Sequence, residues 1–173
     1  MATFEKIAFT EVGPGGSTSI DFTVIPSTFT DLCIKYSIRD TQTGGNSYAN
    51  IYLTFNGNTS NYSERLLYGL GSGSGASVSR SSQAELNWLY ATTGVATAST
   101  FANGDIYIPN YAGSTNKSVS MDSVTENNAT EAIAALTAGL WSNTSAINQI
   151  TLTKSGTTFA QYSTATLYGI KKA

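Results

Sequence analysis

The chain has no histidine, one cysteine and only 12% charged residues. That charged share is about half of what a soluble domain usually carries. A single cysteine excludes an internal disulfide and leaves the redox compartment unreadable. With no imidazole anywhere to activate it, Cys33 reads as a packed or partly exposed thiol and not as a nucleophile. Net charge is −2, and no basic stripe of the kind that tracks phosphates is present, which argues against a nucleic-acid partner. No apolar run approaches the length that crosses a bilayer. The opening MATFEKIAFTEVG places Glu5, Lys6 and Glu11 where a secretion signal would be apolar, so neither export nor a membrane partner is expected.

What replaces charge is Ser, Thr, Asn and Gly. The polar surface must therefore be hydroxyl and amide, and such a neutral surface resists self-association poorly. An assembly that hides part of it is the expectation, with a cyclic homotrimer preferred. At 173 residues the chain suits one domain, 1–173, with a core of its own.

Taken in order, the pattern is short strands between turn signals. Thr3 to Val12 is a strand stopped by Gly13-Pro14-Gly15-Gly16. SIDFTVI places Ile20, Phe22 and Val24 on one face, and Pro26 ends the run. Asp31 to Arg39 alternates most cleanly, with Leu32, Ile34, Tyr36 and Ile38 on one side and Cys33 out of phase with them. Tyr48 to Phe55 is closed by Asn56-Gly57, and Glu64 to Leu70 follows. Gly69 to Ser82 has few side chains to pack and reads as a mobile surface loop. Ala84 to Thr92 sets Leu86, Trp88 and Tyr90 in phase. Phe101 to Pro109 has Ile106 and Ile108 facing one way and Tyr107 the other. Ser118 to Val124 is a short polar strand. Glu131 to Trp141 has the alanines of a helix, but Thr137, Gly139 and small residues at alternate positions favour a strand. Ile150 to Ile170 reads as two paired strands around Lys154-Ser155-Gly156, the last of them closing a slot left by earlier strands. About ten strands at this spacing predict an all-β antiparallel sandwich with Greek-key or jelly-roll wiring.

Patterns that invite a chemical reading do not sustain one. Gly71-Ser72-Gly73 with Ala76 meets the loosest dinucleotide glycine pattern but lacks the following helix that holds a pyrophosphate. Asn58, Asn61, Asn116, Asn128 and Asn143 each head an N-x-S/T triplet, as expected by chance in so Asn-, Ser- and Thr-rich a chain. Asp122 and Glu126 flank a loop without the spacing of a calcium site. No carboxylate pair stands out for sugar hydrolysis. No enzyme, cofactor or metal is expected. The aromatics do stand out: ten tyrosines, seven phenylalanines and two tryptophans exceed what one small core needs. Trp88, Tyr90, Tyr107, Tyr111 and Trp141 are the candidates for an interface or a sugar-binding face, with the core as the alternative for the tryptophans.

Several phrases occur together: SIDFTVIPSTFTDLCIKYSIR, FNG at Phe55 to Gly57, IYIPNYAGSTNKS from Ile106 to Ser118, TENNAT from Thr125 to Thr130, and the ending YSTATLYGIKKA. With these the chain resembles, over nearly its whole length, a family of small virion structural proteins of tailed phages. The resemblance implies a virion component assembled in a bacterial cytoplasm, without catalytic residues. The first role it implies is a jelly-roll head decoration (cement) protein, a homotrimer bridging subunits of the major capsid protein. The alternative is a tail-fibre or receptor-binding module that recognises host glycans.

Overall fold

A computed structural model describes residues 3–71, 73, 75–128 and 131–171. Ser72, Ser74, Ala129, Thr130, Lys172 and Ala173 lie outside the described residues, and with them fall parts of the glycine-motif, TENNAT and terminal IKKA readings. The described residues form twelve strands and no helix: β1 (Thr3–Glu11), β2 (Ser19–Phe22), β3 (Asp31–Ile38), β4 (Tyr48–Phe55), β5 (Tyr62–Leu70), β6 (Gly75–Gln83), β7 (Leu86–Thr92), β8 (Ala102–Pro109), β9 (Lys117–Val124), β10 (Ile133–Trp141), β11 (Ile150–Thr153) and β12 (Thr164–Lys171). They make an eight-stranded sheet, β1-β12-β3-β8-β9-β10-β5-β6, and a four-stranded sheet, β2-β11-β4-β7. Every strand pair is antiparallel. The protein is an all-β antiparallel sandwich.

Alternation is what makes these segments strands. In β3 the apolar set Leu32, Ile34, Tyr36 and Ile38 is buried, and in β4 Ile51, Leu53 and Phe55 face it from the small sheet. With a side-chain period of two, most strands give one face to this shared core and the other to solvent; β6, exposed on both faces, and β7, buried throughout, are the exceptions. The ambiguous alanine-rich segment is the strand β10, paired with β9 and β5 along its length. Gly139 lets the two sheets approach closely here: a Cβ there would lie 2.7 Å from Leu86 Cδ1 of the facing sheet. Asn56 and Gly57, both with positive φ, form the tight turn after β4. The Asn56 side chain then accepts from Asn148 N–H at 2.9 Å and Gln149 N–H at 3.1 Å, tying that turn to the approach of β11.

Four expectations need correction. Most of the Gly69 to Ser82 segment is no loop: Gly69 and Leu70 end β5, and Gly75 to Gln83 is β6, paired with β5 from Gly69↔Gly75 to Tyr62↔Gln83. Its small side chains leave it exposed on both faces, but the backbone hydrogen bonds of a ladder require no apolar side chain. The C-terminal pair is likewise not a hairpin. β11 lies in the small sheet between β2 and β4, while β12 lies in the large one between β1 and β3. The connecting segment carries the chain across the sandwich, and Phe159, fully buried, bridges Ser17 and Asp40 on the way. β12 does fill a slot, between β1 and β3. Val24 is not inward: it has φ of +56° and is 90% exposed, and Ile25 takes the buried place. Finally, Leu86 is not in phase with Trp88 and Tyr90. A register shift in the β4–β7 ladder between Ile51↔Leu89 and Leu53↔Leu86 rotates Leu86 into the main core, away from the other two.

Candidate functional site

The five aromatics picked from the sequence separate into three environments. Trp141 and Tyr111 are fully buried. Trp141 ends β10, stacked on Tyr62 at 6.2 Å and tilted against Phe55 at 5.6 Å, so three rings from both sheets fill one end of the core. Tyr111 follows β8, donates its hydroxyl hydrogen to Pro26 O, and accepts from Phe29 N–H at 3.4 Å. Neither presents a face to a partner. They were singled out by residue type, and burial removes them from the candidates.

Trp88 and Tyr90 occupy a second, smaller cluster with Leu66, Ile133 and Ala135. It forms because β5, β6 and β10 reach past the small sheet and cover its edge strand, β7, which is buried at all seven positions. The Arg80 guanidinium of β6 sits 4.2 Å from the Trp88 ring centre and pairs with the buried Glu64 carboxylate. Glu64 Oε2 accepts from Asn87 N–H at 3.1 Å. Burial raises the Glu64 pKa, and the Arg80 contact works against that rise. These groups fasten β6 to the body of the protein, and Glu64 and Arg80 also border a shallow surface pocket with Arg65 and Ser79. Nearby, burial pushes the Tyr62 phenol up to about 12.

Only Tyr107 reaches solvent, at 38% exposure. It stands on the outer face of the large sheet, and its hydroxyl donates to Asp31 Oδ2 at 2.8 Å. That bond is the first cause of its raised pKa. Beside it Cys33 faces outward between Tyr107 and Tyr168 in register, yet is buried, and burial pushes its thiol up. It is a packed thiol. The next row along carries Lys35, Asp105 and Asp122, with Lys35 Nζ 2.5 Å from Asp105 Oδ2. Among the described residues no group of three or more His, Cys, Asp or Glu is placed to hold a metal.

Sequence reasoning missed the most apolar part of this face. Leu67 and Leu136 are direct cross-strand partners, each 53% exposed. Ala134 and Val124, paired one step along, extend the strip across β9. At the far side of the same sheet Phe4 and Phe9 of β1 are also exposed. One signal was available: Leu66 and Leu67 are consecutive, and in a strand one of two consecutive leucines must point out. Leu66 is the buried one.

A different groove runs over the outer face of the small sheet, lined by Gln42, Asn46, Tyr48, Asn50, Tyr52 and Lys154. Its polar, amide- and tyrosine-bearing wall contrasts with the apolar strip.

No protein-family model matches this chain, and no curated protein matches it.

Proposed function

We propose that the protein is a virion structural component, acting as a capsid decoration protein that bridges neighbouring subunits of the major capsid protein on the outer head surface. The observation that carries this reading is the apolar strip of Leu67, Leu136, Ala134 and Val124 on one face of a wide sheet, bordered by Asp122 beside Leu136. Exposed contiguous apolar surface marks a protein–protein contact in chains that otherwise stay soluble. The resemblance of IYIPNYAGSTNKS and the terminal YSTATLYGI to tailed-phage virion proteins supports the same reading. Its action is mechanical: a trimer seated across several capsid subunits holds them together, with three weak contacts acting jointly.

The wiring supports a jelly-roll reading. Taken with β2 to β8 and β11 as the eight strands, one sheet runs β2-β11-β4-β7 and the other β3-β8-β5-β6. The β9–β10 hairpin is then let in between β8 and β5, and β12 and β1 are added outside β3.

A second reading, a receptor-binding module for host glycans, is favoured by the groove of Tyr48, Asn50, Tyr52 and Gln42. Tyrosine faces with amide donors are the groups that suit a sugar ring and its hydroxyls. Quantifying the chain in purified particles separates the two. Decoration predicts a copy number commensurate with the capsid lattice; a number commensurate with the few tail fibres would transfer the assignment to the glycan reading.

A further inference from the structure

Sheet edges are rows of unpaired N–H and C=O groups, and proteins commonly guard them with charge, bulges, brevity or cover. Three of the four edges here are guarded. β1 carries Glu5, Lys6 and Glu11 and a register irregularity between Lys6 and Ala8. β2 is four residues long and bears Asp21. β7 is covered by the second hydrophobic cluster. The fourth edge, β6, has none of these along Gly75 to Arg80. It contains no proline, and its irregularity comes only afterwards, at Ser81–Ser82, where Ser82 has φ of +56°. Its one charge, Arg80, is turned inward onto Glu64 and Trp88. The remaining side chains are Gly, Ala, Ser and Val, exposed on both faces.

We propose that β6 is a self-pairing edge: two copies of the chain join antiparallel through their Gly75–Arg80 segments about a two-fold axis, running their eight-stranded sheets into one continuous sheet. An open edge takes a strand, because only a strand satisfies its row of donors and acceptors. The occupant is a second copy of β6 for reasons of charge and shape. The segment offers no free charge to select a charged partner, and no like charges to oppose its own copy. Small side chains on both faces meet across the axis without a clash. The guarded edges β1, β2 and β7 of a second copy do not fit, so the contact is isologous and closes at two. The cross-strand rows Ser77–Leu67–Leu136 and Gly75–Gly69–Ala134–Val124 begin at this edge. A two-fold through β6 therefore sets the apolar strips of both copies on the same side. The pairing is separate from any three-fold contact and does not depend on the shell reading.

Sedimentation velocity of the full chain over the micromolar range tests it. The expected species are even-numbered, a dimer or a hexamer if a three-fold contact also forms; a monomer or a bare trimer overturns the proposal. Two double variants then locate the contact, Ser77→Lys with Ser79→Lys and Ser77→Asp with Ser79→Asp, all at exposed positions. Each alone is expected to weaken association by about tenfold or more, since like charges then face each other across the axis. Mixed in equal amounts the two are expected to restore it. Ser77→Thr with Ser79→Thr is expected to associate as the parent does, showing that substitution as such is tolerated. Association unaffected by the charged pairs, or no recovery on mixing, overturns the assignment to β6.

Discussion

Replacing Lys154 by methionine is expected to destabilise the protein by about 3–5 kcal/mol, the cost of leaving a buried charge without its partner. Lys154 follows β11 of the small sheet, and Asp40 follows β3 of the large one. Their side chains are closed off from solvent, with Nζ 2.8 Å from Asp40 Oδ2. Further hydrogen bonds hold both members of the pair. Asp40 accepts from Gln42 N–H at 2.7 Å and from the Thr157 hydroxyl at 3.1 Å, and Lys154 donates to Asn50 O at 2.6 Å. The pair thus pins the crossover that carries the chain from β11 to β12. Without the ammonium, two neutral donors remain to hold a buried carboxylate. Adding Asp40→Asn to Lys154→Met is expected to recover most of the loss, because a neutral amide keeps the acceptor for Gln42 and no buried charge is left. Urea unfolding of the two single variants and the double gives the cycle. A loss below about 1 kcal/mol in Lys154→Met would mean that water reaches the pair in solution.

Trp141→Ala is expected to cost about 3–5 kcal/mol of folding stability, the range for deleting a large buried ring. The ring is 1% exposed and joins Tyr62 of its own sheet to Phe55 of the other. Its removal opens a cavity between sheets that β-strand pairing holds apart, so the site collapses poorly. Trp141→Phe is expected to be much milder, since the indole N–H has no hydrogen-bond partner among the described residues and only part of the volume is lost. Tyr107→Ala makes the contrast: an exposed ring whose one bond is to Asp31 is expected to change stability by less than about 1 kcal/mol. Thermal or urea unfolding distinguishes these. Equal losses for Trp141→Ala and Tyr107→Ala would contradict the burial that separates them.

Strand existence was legible because one face of nearly every strand packs on the core, and a period of two shows that directly. Leu32, Ile34, Tyr36 and Ile38 are the clearest case. The failures share a cause. β6 has no buried face worth the name, so its pairing lives in backbone groups that sequence does not display. β7 is buried on both faces and contains a register irregularity, so neither alternation nor phase survives in LNWLYAT. β11 and β12 look like a hairpin because a Gly-containing turn lies between them, yet the ten residues 154–163 suffice to change sheets. The candidate surface was less legible still. Aromatic residue type selected Trp141 and Tyr111, which pack inside, whereas the exposed strip is built from leucine, valine and alanine in phase on β5, β9 and β10. Only register across three strands brings those together, and register is a tertiary property.

The central claim, that this chain is a shell-bound structural protein, is tested most directly by titrating it onto undecorated phage heads and following both occupancy and the temperature of DNA release. The account predicts saturation of a fixed, symmetric set of sites, little weakening by moderate salt because the contacting strip is mainly apolar, and a higher release temperature, since a ligand of the assembled state stabilises that state. Leu136→Lys, at an exposed position, is expected to abolish that binding while leaving the fold intact. A protein that ignores heads but adheres to host cells or their surface polysaccharide would contradict the claim.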